Sequence, residues 1–300
     1  MMFEGFDEHQ IATSAGALIH ARSGGSGPPL LLLHGYPQTG AMWDGVACRL
    51  LDHFTIVVPD LRGYGASIGP EPLPDASNYR FRDMADDQVE VMRALGHDRF
   101  FVAGHDRGAR TAFRMALDHP GVVERMALLD IQPTHYAWTQ LSGPHARRAW
   151  FWILMSQPYD IGETFFTSVD PDWLFDKLVP PGPHGRDLFS QDALTEYRRS
   201  FTPAMIRASC ADYRAFSSLD VAMEQEDLDS GHKARCPALV LWGEHSYGPS
   251  DMLLLWRTYL EQVDGFCVKD AGHYLPEERP DEIAEALHSF FVADVAPAFA

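Results

Sequence analysis

The sequence predicts an α/β fold, a mostly parallel sheet with helices on both faces, and three observations carry the prediction. Short leucine-rich or β-branched runs recur along the chain, helical patterns alternate with them, and one long aromatic segment interrupts the alternation. The runs fall at residues 30–33, 55–58, 100–103, 126–129, 238–242 and 266–268. Each is almost continuously apolar, as a parallel strand covered on both faces must be. Amphipathic stretches at 82–95, 108–117, 253–262 and 281–291 lie between or after them and read as the covering helices. The start, 7–21, alternates polar and apolar residues, which suits antiparallel edge strands.

From 134 to 228 the texture changes. This stretch is rich in Trp, Phe, Tyr and Met, has helical periodicity, and is punctuated by Pro158, Pro171, Pro180, Pro181 and Pro183. It reads as a helical cap (lid), with 1–133 and 229–300 forming the core. A cap so inserted belongs over the carboxyl edge of the strands, where open parallel sheets bind ligands. The Ala/Val/Pro tail from Val292 reads as frayed.

Composition narrows the function. A chain of 300 residues, 46% hydrophobic and 22% charged, can bury a large core as one domain with an insertion or as two domains. The formal net charge of −18 argues against a nucleic-acid partner, which would need a basic face. It also repels anions at long range, so any anion site must be built from local arginines. Cys48, Cys210, Cys236 and Cys267 lack metal-ligand spacing and read as reduced, buried thiols. The N-terminus lacks the basic and apolar stretches of a signal peptide, and no apolar run approaches the ~18 residues of a membrane span. The expected location is the cytoplasm.

The chemistry is concentrated at Gly104-His105-Asp106-Arg107-Gly108, between a predicted strand and a predicted helix. A sharp strand-to-helix turn needs small neighbours on both sides of its central residue. The arrangement matches the nucleophile turn G-x-S-x-G with Asp106 in place of serine. A carboxylate there attacks an alkyl carbon and forms an alkyl ester on the protein. The competing reading is an aspartate that merely caps the following helix.

Partners for Asp106 occur in the expected chain order. His273, in Gly272-His273-Tyr274 after the last strand, can take a proton from water at neutral pH. The acid that orients it is Asp130, at the end of the strand after the nucleophile helix, in preference to Glu244; a turn residue at a strand end is the alternative for Asp130. The segment His34-Gly35-Tyr36-Pro37 follows the leucine strand and can aim a backbone N–H into the site. The N–H of Arg107 supplies a second, so the two would form an oxyanion hole. The turn from Asp60 to Gly65 receives no chemical role.

These segments together resemble the α/β-hydrolases with an aspartate nucleophile, the epoxide hydrolases and haloacid or haloalkane dehalogenases, over nearly the whole chain. The run His105-Asp106-Arg107-Gly108-Ala109-Arg110 resembles the fluoroacetate (haloacetate) dehalogenase family. That resemblance implies the α/β-hydrolase fold and a small anionic substrate whose carboxylate Arg107 and Arg110 hold. Planar guanidinium forks suit that task; an Arg110 facing solvent or pairing with a core acid is the alternative. The resemblance also supports Asp130 as the triad acid. It implies halide donors at Trp152 and Tyr213, while Phe151 stands where the family has histidine. Loss of that donor predicts chloride or bromide release ahead of fluoride. Neither metal nor organic cofactor is implied, and a homodimer fits the resemblance.

Two other readings compete. An epoxide hydrolase would use Asp106, His273 and the same oxyanion loop, with cap tyrosines protonating the epoxide; Tyr213 would be joined by Tyr136, Tyr159 or Tyr197. A non-catalytic binding protein would have to retain nucleophile, base and acid without using them.

Overall fold

The computed structural model describes residues 2–179, 188–246, 248 and 251–293. Pro180, Pro181, Pro183 and the tail after Ala293 lie outside the described residues. Among the described residues, eight strands form one sheet: β1 (Asp7–Ala12), β2 (Leu18–Gly25), β3 (Pro29–Leu33), β4 (Thr55–Pro59), β5 (Phe100–His105), β6 (Val123–Leu129), β7 (Ala238–Gly243) and β8 (Val263–Val268). Their order is β1-β2-β4-β3-β5-β6-β7-β8. The strands β3 to β8 run parallel, and β1 and β2 are antiparallel additions at one edge.

Helices of the core are α1 (Asp44–Leu50), α2 (Phe81–Ala94) and α3 (Arg107–Asp118). Between β6 and β7 come α4 (Thr134–Thr139), α5 (Gly143–Arg148), α6 (Trp150–Met155), α7 (Ile161–Ser168), α8 (Pro171–Leu178), α9 (Gln191–Ser200), α10 (Pro203–Ala215) and α11 (Val221–Ser230). A π-helical turn, Phe216–Asp220, joins α10 to α11. The chain closes with α12 (Met252–Trp256), α13 (Leu275–Glu278) and α14 (Pro280–Val292).

Burial explains these elements. Leu30 to Leu33 are fully buried, because β3 lies mid-sheet and is covered on both faces. In α2, Phe81, Met84, Ala85, Val89 and Met92 are buried, the spacing of one helical face. One expectation fails: the pattern at 253–262 gives a helix only to Trp256. Beyond it the chain turns, and the backbone around Tyr259 and Leu260 pairs with Ala234 instead. The cysteines are unpaired, but only Cys210 is buried and Cys48 is exposed. Among the described residues no helix is long and apolar enough to cross a membrane.

Register and strand order position the site. Leu33 pairs with Gly104, His105 with Leu129, and Leu129 with Leu241. The carboxyl ends of β3, β5, β6 and β7 therefore finish level, and the residues just after them converge. Strand order reverses at β3, which lies between β4 and β5; such a switch point opens a crevice at the carboxyl edge.

Candidate active site

Asp106 leaves β5 at φ 50°, ψ −115°, a left-handed value that costs a non-glycine residue about 1–3 kcal/mol. Packing imposes that turn. A Cβ on Gly104 would stand 2.4 Å from the carbonyl carbon of Gly108, and one on Gly108 would stand 2.3 Å from the Leu33 oxygen. Only with glycine at both positions can α3 seat against β3 and β5. The backbone then ties Asp106 at both ends: its N–H donates to Leu129 O at 3.2 Å, and its carbonyl accepts from Ala109 N at 3.1 Å. The carboxylate makes no capping bond to α3, which removes the cap-only reading.

The Asp106 carboxylate points instead at the loop after β3. The N–H of Tyr36 donates to its Oδ1 at 2.9 Å. A Cβ on Gly35 would lie 2.8 Å from that same oxygen, so glycine permits the close approach. Burial alone would raise the Asp106 pKa; the His273 and Arg107 charges and the Tyr36 amide outweigh it and keep the group anionic below its ordinary range. His34 does not face this carboxylate. Its Nε2 accepts from Leu61 N–H at 2.9 Å and its Nδ1 meets Gly35 O at 2.9 Å. It is a fully buried brace for the loop.

Asp130, at φ 49° after β6, faces His273. Its Oδ2 lies 2.6 Å from His273 Nδ1. Two donors, one at the end of β7 and one in the loop after it, hold the carboxylate: Gly243 N–H to Oδ1 at 3.0 Å and Ser246 Oγ to Oδ2 at 2.5 Å. Glu244 is exposed and pairs with Lys269 at 2.8 Å; it is Asp130 that meets the histidine. Burial pushes the His273 pKa down, but the Asp130 hydrogen bond and charge, with Asp106 behind them, leave it raised.

The two arginines differ. Arg107 is buried and makes a two-point fork with Asp212 of α10 through Nε and Nη2. Tyr64 donates to the same Asp212 Oδ2 at 2.6 Å, so the turn expected to be inert supports this pair. Burial opposes the Arg107 charge and the Asp212 carboxylate more than restores it. Arg110 is 3% exposed and donates to Thr134 Oγ1 at 3.0 Å. Burial and the neighbouring Arg107 lower its pKa to about 10, still protonated at neutral pH. Arg110 lines a cleft with Asp106, Asp130, His273, Trp152 and His145; Arg107 is not among its lining residues.

From the 134–228 helices His145 and Trp152 line the cleft, whereas Phe151 and Tyr213 pack on the Tyr36 ring outside that lining. Phe151 stacks on Tyr36 with ring centroids 5.9 Å apart, and Tyr213 meets Tyr36 at 5.4 Å and Trp152 at 6.4 Å. The Tyr213 ring lies 3.9 Å from the Arg107 guanidinium carbon. Of the other tyrosines considered, Tyr159 is exposed and Tyr197 donates to Glu277 at 2.7 Å. Neither accompanies Tyr213. Tyr136 lies in α4 and is absent from the cleft lining. Sequence reasoning missed His145, whose ring meets Trp152 at 5.9 Å; the two residues lie in separate short helices, α5 and α6, so helical spacing did not mark the pair. It also missed Asp212, Gly243 and Ser246, which carry no pattern of their own. Away from the cleft, Glu244, His245 and Asp270 have ligand atoms within 4.8 Å of one another on the surface, with Glu244 already held by Lys269.

A parallel sheet with an acid on a glycine-flanked turn, and a carboxylate-bound histidine beside it, define a hydrolase fold. The chain belongs to the α/β-hydrolase fold family, whose model matches residues 28–280, and it is a hydrolase. Among named relatives it is similar to fluoroacetate dehalogenase from Burkholderia sp, with 42% identity covering 96% of this chain and 95% of that protein. It is also similar to the soluble epoxide hydrolase of Corynebacterium sp. (strain C12), at 32% identity over 94% and 96% of the two chains. Among solved structures it resembles ALR0039, a candidate α/β hydrolase from Nostoc sp PCC 7120, with TM-score 0.91 and 42% identity, covering 98% of this chain and 100% of that one.

Proposed function

We propose that this hydrolase removes halide from short 2-haloacids through an ester formed on Asp106 and hydrolysed by water that His273 activates. The observation that carries the reading is the buried Arg110 guanidinium in the same cleft wall as the Asp106 carboxylate. A desolvated cation beside a nucleophilic anion suits a substrate that brings its own negative charge. Arg110 holds the substrate carboxylate by contact, while Arg107, committed to Asp212, contributes charge without lining the cleft. Similarity to the Burkholderia fluoroacetate dehalogenase supports the same substrate class.

The cycle has two displacements, with 134–228 acting as the cap that covers them. Since the Tyr36 amide holds Oδ1, Oδ2 of Asp106 attacks the carbon bearing the halogen. A C–O bond forms, the carbon–halogen bond breaks, and halide departs with the electron pair toward the Trp152 N–H and the Tyr213 hydroxyl. His273, oriented by Asp130, then takes a proton from water as the water oxygen attacks the Asp106 carboxyl carbon. The Tyr36 and Arg107 amides stabilise the resulting oxyanion. Collapse breaks the bond from the Asp106 carboxyl carbon to Oδ2, so Oδ2 leaves in the 2-hydroxyacid, which takes the proton from His273; the water oxygen stays on Asp106, whose new carboxyl group loses its remaining proton to solvent. Asp106 charge is one influence holding the His273 pKa up; esterification removes that charge, lowers the pKa and leaves more of the imidazole in the neutral form that can accept a proton.

The test is halide release from fluoro-, chloro- and bromoacetate, with styrene oxide hydrolysis run in parallel. Halide and glycolate are the expected products. Diol formation without halide would make this an epoxide hydrolase and return Arg110 to a structural role. Among the described residues no tyrosine lines the cleft, which weighs against that outcome.

A further inference from the structure

His105 precedes Asp106 on β5, and the cycle above gives it no task. Its side chain is fully buried. Its Nε2 lies 2.7 Å from the backbone oxygen of His273, and the two imidazoles pack with centroids 4.6 Å apart at 48°. Hydrogen bonding to a carbonyl requires the proton on Nε2, which leaves Nδ1 as a bare lone pair; that atom is buried with no hydrogen-bond partner. A second proton would place an unsolvated cation against the His273 ring, so the residue stays neutral. Burial first, then the adjacent His273, agree with this and depress its pKa to about 4. The same residue is locked in the sheet opposite Leu129, one position before Asp130. His105 thus links the strand that carries the nucleophile to the loop that carries the base.

We propose that His105 is a positioning residue for the ester-hydrolysis step: its Nε2–H holds the His273 carbonyl, and its ring backs the His273 imidazole. Asp130 holds the His273 ring, and Glu278 accepts from the Gly272 and Tyr274 amides on either side of it at 2.7 and 2.9 Å. His105 adds the contact at the His273 carbonyl itself, which limits rotation of that peptide and the rocking that would move Nε2 away from the attacking water. Small misplacements of a general base carry large rate penalties. The role predicts a division between steps: Asp106 alkylation does not use His273, whereas hydrolysis of the ester does.

This inference rests on the two-step reading above, and the test separates them by intact mass under single turnover with bromoacetate. His105→Phe keeps a ring of similar shape but cannot donate; His105→Gln keeps an N–H donor and loses the ring. The expected result is ester formation at nearly the unsubstituted rate in both. Ester decay should slow by about tenfold or more in His105→Phe, with part of the loss recovered in His105→Gln. Ester decay at the unsubstituted rate in His105→Phe overturns the proposal. Should His105→Phe fail to fold, slower ester decay with unchanged ester formation in His105→Gln supports the proposal, and ester decay at the unsubstituted rate in His105→Gln overturns it. No adduct in either the unsubstituted chain or His273→Ala overturns the haloacid reading, and this proposal with it.

Discussion

Arg107 and Asp212 face each other as a buried two-point fork, joining α3, which follows the Asp106 turn, to α10 of the segment between β6 and β7. Both side chains are almost fully excluded from solvent. Removing one partner would leave the other charged and desolvated, at a cost of about 3–5 kcal/mol. Asp212→Ala is therefore expected to lower unfolding free energy by about that amount in urea denaturation, with Arg107→Ala similarly damaging. A change under 1 kcal/mol would mean that water reaches the pair.

Arg110 has a hydroxyl partner in Thr134 and lies in the cleft lining. Its replacement by methionine keeps the bulk and removes the charge. A charge-assisted hydrogen bond contributes about 1.5–3 kcal/mol. Arg110→Met should therefore raise KM for haloacetates by about tenfold to a hundredfold. An unchanged KM would place the substrate carboxylate elsewhere.

His273→Ala should stop the cycle at the ester. Intact mass spectrometry after chloroacetate should show the protein heavier by one carboxymethyl group, with peptide mapping placing it on Asp106. Normal turnover by this variant would remove His273 from the mechanism. Asp130→Asn should slow ester hydrolysis by about a hundredfold or more, because the amide no longer stabilises the imidazolium form.

The pH dependence follows from the sign of the His273 shift. Burial lowers its pKa, but Asp130 and Asp106 raise it above its ordinary value, and only the neutral imidazole accepts a proton. Where ester hydrolysis limits turnover, kcat should be low in acid and rise through the His273 pKa. The ester has no Asp106 charge, so the midpoint in kcat should lie below that found by NMR titration of the free protein. Equal midpoints would show that Asp106 stays charged through the limiting step.

Halogen preference tests the anion-receiving wall. Fluoride is the poorest leaving group, and Phe151 offers no donor, so chloride and bromide release should exceed fluoride release. His145 stands against Trp152 in the same cleft, so His145→Leu should slow fluoroacetate turnover by a larger factor than bromoacetate turnover. Fluoride released faster than chloride would defeat this account.

Much of this protein was readable along the chain because strand hydrophobicity and turn glycines are local properties. Continuous apolar runs mark strands covered on both faces, and Gly104 and Gly108 mark the strained turn at Asp106. The order of Asp106, Asp130 and His273 could be read because each follows a strand. Tertiary structure alone decided which charges meet. That Arg107 is bound to Asp212 while Arg110 lines the cleft depends on how α10 packs across α3, a pairing over a hundred residues apart. That Ser246 and the Gly243 amide hold Asp130, and that His105 holds the His273 carbonyl, depends on strand ends finishing level across the sheet. Spacing encodes which residues share a face; it does not encode which face meets which, and that choice belongs to the packed core.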